Sequence, residues 1–280
     1  MKHWLAAGLF AIGMTAGGAA AQEPPKQDPP KPASEAKELL KKGLEASTGA
    51  GGFTFTGSVE QESPFGGMVI GGLSAGPEGK CKGTVGADGI SHVRLEKGKS
   101  SYEFYRKGSQ IAHRQAWRGS QVTTGTFARE AMGALDLARL AKVAAKVKEK
   151  DVKKEEGRKV GEVECVTVKA TLPSDLVEEE DEEAEGDHQM KMFDLKRIEA
   201  TFHFGKEDNL LKKVEFKLIK SFGAMFRMGG EDGEEDEDDE DGGGNPMKGT
   251  FSTTFKLTFG AFDKTTSVSV PADMAGLLKE

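Results

Sequence analysis

RIEATFHFGKEDNLLKKVEFKLIKSF, residues 197–222, alternates with a period of two on both sides of a polar turn. Ile198, Ala200, Phe202 and Phe204 fall on one face of the first segment, and Val214, Phe216 and Leu218 on one face of the second. Successive side chains of a strand point to opposite faces, so this pattern predicts two half-buried strands. The KEDN turn between them makes the pair an antiparallel hairpin. The same period recurs outward in both directions. FTFTGSVE alternates Phe53, Phe55 and Val59 against threonine and serine, and FSTTFKLTFGAF presents Phe251, Phe255, Leu257 and Phe259 on one side.

Between these segments lie further short runs: GGMVIGGLSA, GKCKGTVG, ISHVRLEKG and SYEFYRKGSQIAHR. They are separated by turns at Pro77–Gly79, Ala87–Gly89 and Lys97–Gly98. Strands resume at Val160–Leu172, and TTSVSVPAD closes the series with Val268 and Val270. Short strands separated by turns predict an antiparallel meander. Two stretches have a helical period instead. SEAKELLKKGLEAST (Ser34–Thr48) gathers Leu39, Leu40 and Leu44 on one side. Ala128–Lys150 places Leu137, Leu140, Ala144 and Val147 on one stripe with lysines largely opposite, as one helix or as two broken near Gly133. The expected fold is α+β: a large curved antiparallel sheet, a half-open barrel, with helices over its concave face.

Residues 1–21 read as a signal peptide, with a basic start, a short apolar stretch and small residues at Ala19 and Ala21. Cleavage there leaves Gln22 first, not the cysteine of a bacterial lipid anchor, so a periplasmic or secreted location is expected. Residues 22–33 are a proline-rich linker, and 34–280 form one domain. Acidic insertions expected to be disordered interrupt it at 178–189 and 229–246, with eight carboxylates in Glu178–Asp187 and ten in Glu231–Asp241. The chain carries a formal charge of −7, yet these runs account for it, and the remaining body is basic. Its lysines are scattered rather than striped, which argues against nucleic acid as a partner.

Motifs for catalysis and metal binding are weak. An EF-hand register starting at Glu237 fits Asp239, Asp241 and Gly242 but puts Lys248 where a bidentate glutamate is required. The acidic run therefore reads first as a solvated loop, and second as a contact for cations or basic partners. Gly72–Gly76 matches the G-x-S-x-G nucleophile elbow, but Pro77, Gly79 and Gly83 follow it where a helix is needed. His92, His113, His188 and His203 form no metal-ligand spacing, and His203 falls on the polar face of its strand. No cofactor fingerprint is present, so the expectation is a protein without enzymatic activity, metal or cofactor. Cys81 and Cys165 both sit in strand-like segments. In an oxidising compartment they could form a disulfide, or they could remain two buried thiols.

Taken in order, helix, meander, mid-chain helix, strands and a closing V-x-V-P-A-D resemble the LolA/LppX-like lipoprotein carriers of bacterial envelopes. The resemblance rests on Phe53–Val59, YEFYRKGSQIAHRQAWRG (Tyr102–Gly119), VGEVECVTV (Val160–Val168), EDNLLKKVEF (Glu207–Phe216) and FDKTTSVSVPAD (Phe262–Asp273). The acidic insertions are a departure from that pattern. The resemblance implies a half-open barrel with helices at its mouth and a hydrophobic cavity for acyl chains. The implied partner is a lipid or acylated lipoprotein, with transient membrane or envelope-protein contact. Phe53, Phe55, Phe202, Phe216, Leu218, Phe255 and Leu257 are the candidate lining residues, although the same side chains would equally build a closed core. The alternative function is an envelope interaction protein acting through its acidic loops.

Overall fold

The structure, a computed structural model, describes residues 32–62, 78–115, 119–122, 132–176, 193–222 and 250–278. The signal-peptide segment, the acidic runs, the Gly72–Gly76 match and the GGMVIGGLSA run lie outside the described residues.

Eleven strands form one antiparallel sheet: β1 (Gly52–Glu62), β2 (Gly79–Val85), β3 (Ser91–Lys97), β4 (Ser100–Lys107), β5 (Gln110–Gln115), β6 (Gly119–Val122), β7 (Val152–Val160), β8 (Val163–Leu172), β9 (Phe193–Gly205), β10 (Leu211–Phe222) and β11 (Thr250–Asp263). Their order is β6-β5-β4-β3-β2-β1-β11-β10-β9-β8-β7, so β1 pairs with β11 and joins the two ends of the chain at the centre. Among the described residues β6 and β7 are the edges and do not pair with each other, so the sheet is an open barrel rather than a closed one.

The hairpin of residues 197–222 forms as its alternation dictates. Phe202 lies across from Val214 and Ala200 across from Phe216, all on the inner face. Asn209 takes the left-handed conformation (φ 55°) at the turn, which asparagine tolerates better than most residues. The segment read as one strand, SYEFYRKGSQIAHR, is instead the hairpin β4–β5, with Lys107 paired to Gln110 around Gly108–Ser109. Gly108 has φ 58°, a conformation that glycine adopts without steric cost. Strand β7 gave no signal because all but one of its side chains, Val152, lie outside the core. It is an edge strand, and charged side chains on an edge discourage pairing with other chains. The closing TTSVSVPAD segment does not form a strand. Val268 and Val270 pack instead beside Tyr105, Ala112, Met274 and Leu278 on the outer face, where the short helix α3 (Ala272–Ala275) also sits.

Helix α1 (Pro32–Gly49) starts two residues before the Ser34 expected from the sequence, with Pro32 at a first-turn position that its locked φ suits. Ala36, Leu40, Gly43, Leu44 and Ser47 face inward at helical spacing. Ser47 fastens the helix to the sheet: its Oγ donates to Gly43 O (2.7 Å) and accepts from Leu211 N (2.8 Å). Helix α2 (Leu137–Lys146) is the regular part of the second helical stretch. Asp136 caps it by accepting from Arg139 N at 2.9 Å, and a break at Ala134–Asp136 separates it from the helical residues Met132–Gly133. Helix α1 packs on α2 and on β7, β8 and β10. The helices therefore shield mainly the β7–β10 half of the inner face, and their buried residues join the sheet's inner residues in one core.

Candidate functional site

The other half of the inner face, from β4 through β1 to β11, converges on a small apolar pocket. Phe55 and Val59 come from β1, Cys81 from β2, Val93 and Leu95 from β3, and Phe104 from β4. Phe255 and Leu257 of β11 close the floor. These residues share a face because strand alternation brings each to the same side of its own strand, and the register aligns them across the sheet. The roof is Leu135, from the break before α2. Free space amounts to about 10 Å³, far below the several hundred Å³ of ordinary ligand pockets. Among the described residues lining it, the one side-chain heteroatom is the Cys81 thiol, whose pKa burial pushes up to about 11.

Leu135, itself buried, also lines a second space. Beside the pocket lies a cleft of about 550 Å³, bounded by the β2–β3 turn (Gly86–Gly89), the β4–β5 turn (Arg106–Gly108), the end of α1 and the start of α2. Leu135 lines both spaces and separates them. Arg106 holds the Leu135 segment down. Its Nη2 lies 3.2 Å from Asp136 Oδ2, its Nη1 donates to Met132 O at 3.5 Å, and its Nε donates to Gly108 O at 2.9 Å.

The structure divides the seven apolar residues named from the sequence into three groups. Phe55, Phe255 and Leu257 line the small apolar pocket, and Phe53 lines the cleft. All seven belong to one buried core, and Phe202, Phe216 and Leu218 border neither space, with Phe202 and Phe216 meeting edge to face at 5.8 Å. Leu135 is the residue that sequence reasoning missed. It belongs to no strand, and a helical stripe does not say which end of a helix roofs a pocket.

Cys81 and Cys165 are free thiols, not a disulfide. The reason is geometric. Cys81 shares the inner face with Leu95, whereas Cys165 lies two residues from Thr167, which pairs with His203 on the outer face. Among the described residues no group of three or more His, Cys, Asp or Glu is placed to hold a metal ion, and no helix is long and apolar enough to cross a membrane.

Two imidazoles sit on the outer face. His92 stacks on Tyr105 at 4.5 Å, and its Nε2 is buried without a hydrogen-bond partner among the described residues. Burial lowers its pKa, with Arg114 and Arg94 adding to the effect and Glu103 opposing it. Burial also lowers that of His203, with Lys213 and Arg158 adding and Glu215 and Glu155 opposing. A depressed imidazole pKa means that the unfolded chain takes up protons first as pH falls. The stability these two groups contribute is therefore complete above about pH 6.5 and lost as pH drops below it. The melting temperature is expected to fall between pH 7.5 and pH 5, and His92→Gln with His203→Gln is expected to flatten that slope. An unchanged slope in the double variant would assign the pH dependence to other groups.

No protein-family model matches the chain, and no curated protein matches it. Solved structures do. Lipoprotein LppX from Mycobacterium tuberculosis aligns over 84% of this chain and 98% of its own, with a TM-score of 0.44 and 11% identity. LprF from Mycobacterium bovis aligns over 86% and 98%, with a TM-score of 0.42 and 12% identity. A LolA superfamily protein from Nitrosomonas europaea aligns over 88% and 97%, with a TM-score of 0.30 and 11% identity.

Proposed function

We propose that this chain is an exported, non-catalytic protein that binds one acyl chain of a lipid or acylated protein against the inner face of β1–β4 and β11. The observation that carries the proposal is Leu135, a single side chain between a small apolar pocket and a wide solvent-facing cleft. The pocket as it stands is too small for a ligand, so binding requires the Met132–Asp136 segment to lift. The segment is held by burial of Met132, Ala134 and Leu135 in the core and by two polar contacts, the Arg106–Asp136 ion pair and the Arg106 hydrogen bond to Met132 O, and acyl-chain burial must offset their loss. The driving force is desolvation. Each methylene moved from water into the pocket contributes about 0.8 kcal/mol, so a chain of moderate length needs no specific polar contact. The absence of charged side chains from the pocket lining suits a hydrocarbon and disfavours any charged ligand there.

Uptake of a fluorescent fatty acid tests this reading. Wild-type protein is expected to bind the probe saturably, and Leu135→Ala, which joins pocket to cleft, is expected to bind it faster. Leu95→Glu, which puts a carboxylate into the pocket, is expected to abolish uptake. If neither wild type nor Leu135→Ala takes up the probe, the proposal fails.

A further inference from the structure

On the opposite, outer face a second cavity of about 340 Å³ lies over β7–β10. Its floor is one cross-strand row, Glu155–Thr167–His203–Lys213, in register across four hydrogen-bonded strands. Thr167 and His203 are 1% and 5% exposed, and Thr167 Oγ1 lies 3.1 Å from His203 Nδ1. With the threonine hydroxyl donating to Nδ1, the remaining imidazole hydrogen is on Nε2.

Arg158 reaches this cavity because of an irregularity in β7. Between Glu155 and Arg158 the strand advances three residues while β8 retreats two, from Thr167 to Cys165. A regular strand would turn residues three apart to opposite faces, and the extra residue returns Arg158 to the face of Glu155. Gly157 permits this, since a Cβ there would stand 2.6 Å from Cys165 O. The two carboxylates of the lining are already matched: Glu155 pairs with Lys169 at 2.9 Å and Glu215 with Lys213 at 2.7 Å. Arg158 has no ion-pair partner among the described residues, and Lys159 faces Glu164 across the hairpin. The cavity therefore combines a bulge-directed guanidinium without an anionic partner among the described residues, a second cation, and a buried hydroxyl–imidazole pair.

We infer that this outer cavity is a binding site for a phosphate group, with Arg158 as its principal charge partner and His203 and Thr167 as its buried floor. A planar guanidinium suits a tetrahedral oxyanion, which it can engage through two parallel hydrogen bonds. A floor of paired strands fixes the geometry better than a loop would. Burial lowers the pKa of His203, so the imidazole is neutral near pH 7 and offers hydrogen bonding beside the cationic side chains of Arg158 and the lining lysines.

The test follows the His203 imidazole resonances of the full chain by NMR during titration at constant ionic strength. The two probes are inorganic phosphate and a water-soluble short-chain phosphatidic acid. A saturable shift with inorganic phosphate is expected, weakened at least about tenfold in Arg158→Gln and unchanged in Lys99→Gln, a surface substitution outside the cavity. Saturation by the short-chain lipid alone, with the same dependence on Arg158, assigns the site to a lipid phosphate group. A shift that chloride reproduces, or that Arg158→Gln leaves intact, overturns the inference, as does the absence of a shift with either probe. Circular dichroism of Arg158→Gln checks that the sheet is intact.

Discussion

Replacing Phe202 with alanine is expected to lower the free energy of unfolding by about 3–5 kcal/mol, the range for truncating a fully buried phenylalanine. Phe202 is 0% exposed and touches two other rings: it meets Phe216 edge to face and stacks on Phe204 at 5.9 Å. The surrounding elements cannot readily collapse into the space left behind. Residue 202 sits on a strand paired on both sides, to β8 and to β10. Single domains have stabilities of about 5–15 kcal/mol, so the loss is a large fraction of the total. Urea denaturation measures it. A change below about 1 kcal/mol would mean that the core around β9 is looser than described.

The second large effect is expected at Gly43. A Cβ on this residue would lie 2.4 Å from the ring of Phe204, so helix and sheet approach here as closely as a hydrogen side chain allows. Two effects oppose each other in Gly43→Ala. Removing a glycine from a helix interior stabilises by about 0.5–1 kcal/mol, whereas overpacking a filled core costs about 1–3 kcal/mol. The clash is with a ring held between β8 and β10, not with a flexible tip, so overpacking prevails and Gly43→Ala is net destabilising. Gly43→Leu is expected to cost about 3 kcal/mol or more, at the upper end of overpacking. Phe204→Leu combined with Gly43→Ala is expected to recover part of the loss, since neighbouring substitutions couple. If the two losses simply add, the close approach of α1 to β9 is not what limits residue 43.

The sheet was legible in the sequence wherever one face is buried and the other is not. The 197–222 hairpin, β1 and β11 all carry that alternation, and β11 closes the sheet by pairing with β1 as well as with β10. Legibility failed where burial is one-sided in a different way. Strand β7 has Lys153, Lys154, Glu156 and Lys159 exposed and only Val152 in the core, so a period of two had nothing to mark it. The β4–β5 turn was missed because Arg106 to Gln110 is polar without interruption and one glycine carries the whole reversal. For the candidate site, alternation identified the inner face but not what covers it. Phe55 and Phe202 have the same sequence signature and share one buried core, yet Phe55 also borders the small pocket roofed by Leu135 and Phe202 does not. That distinction depends on where α1 and α2 dock. The position of Arg158 was equally hidden, because a one-residue bulge reverses the face without altering composition.

Native mass spectrometry of the protein after incubation with a long-chain fatty acid tests the central claim most directly. An apolar pocket gated by Leu135 predicts a one-to-one complex in the wild type and Leu135→Ala, and none in Leu95→Glu. A wild-type protein that stays empty while remaining folded would contradict it.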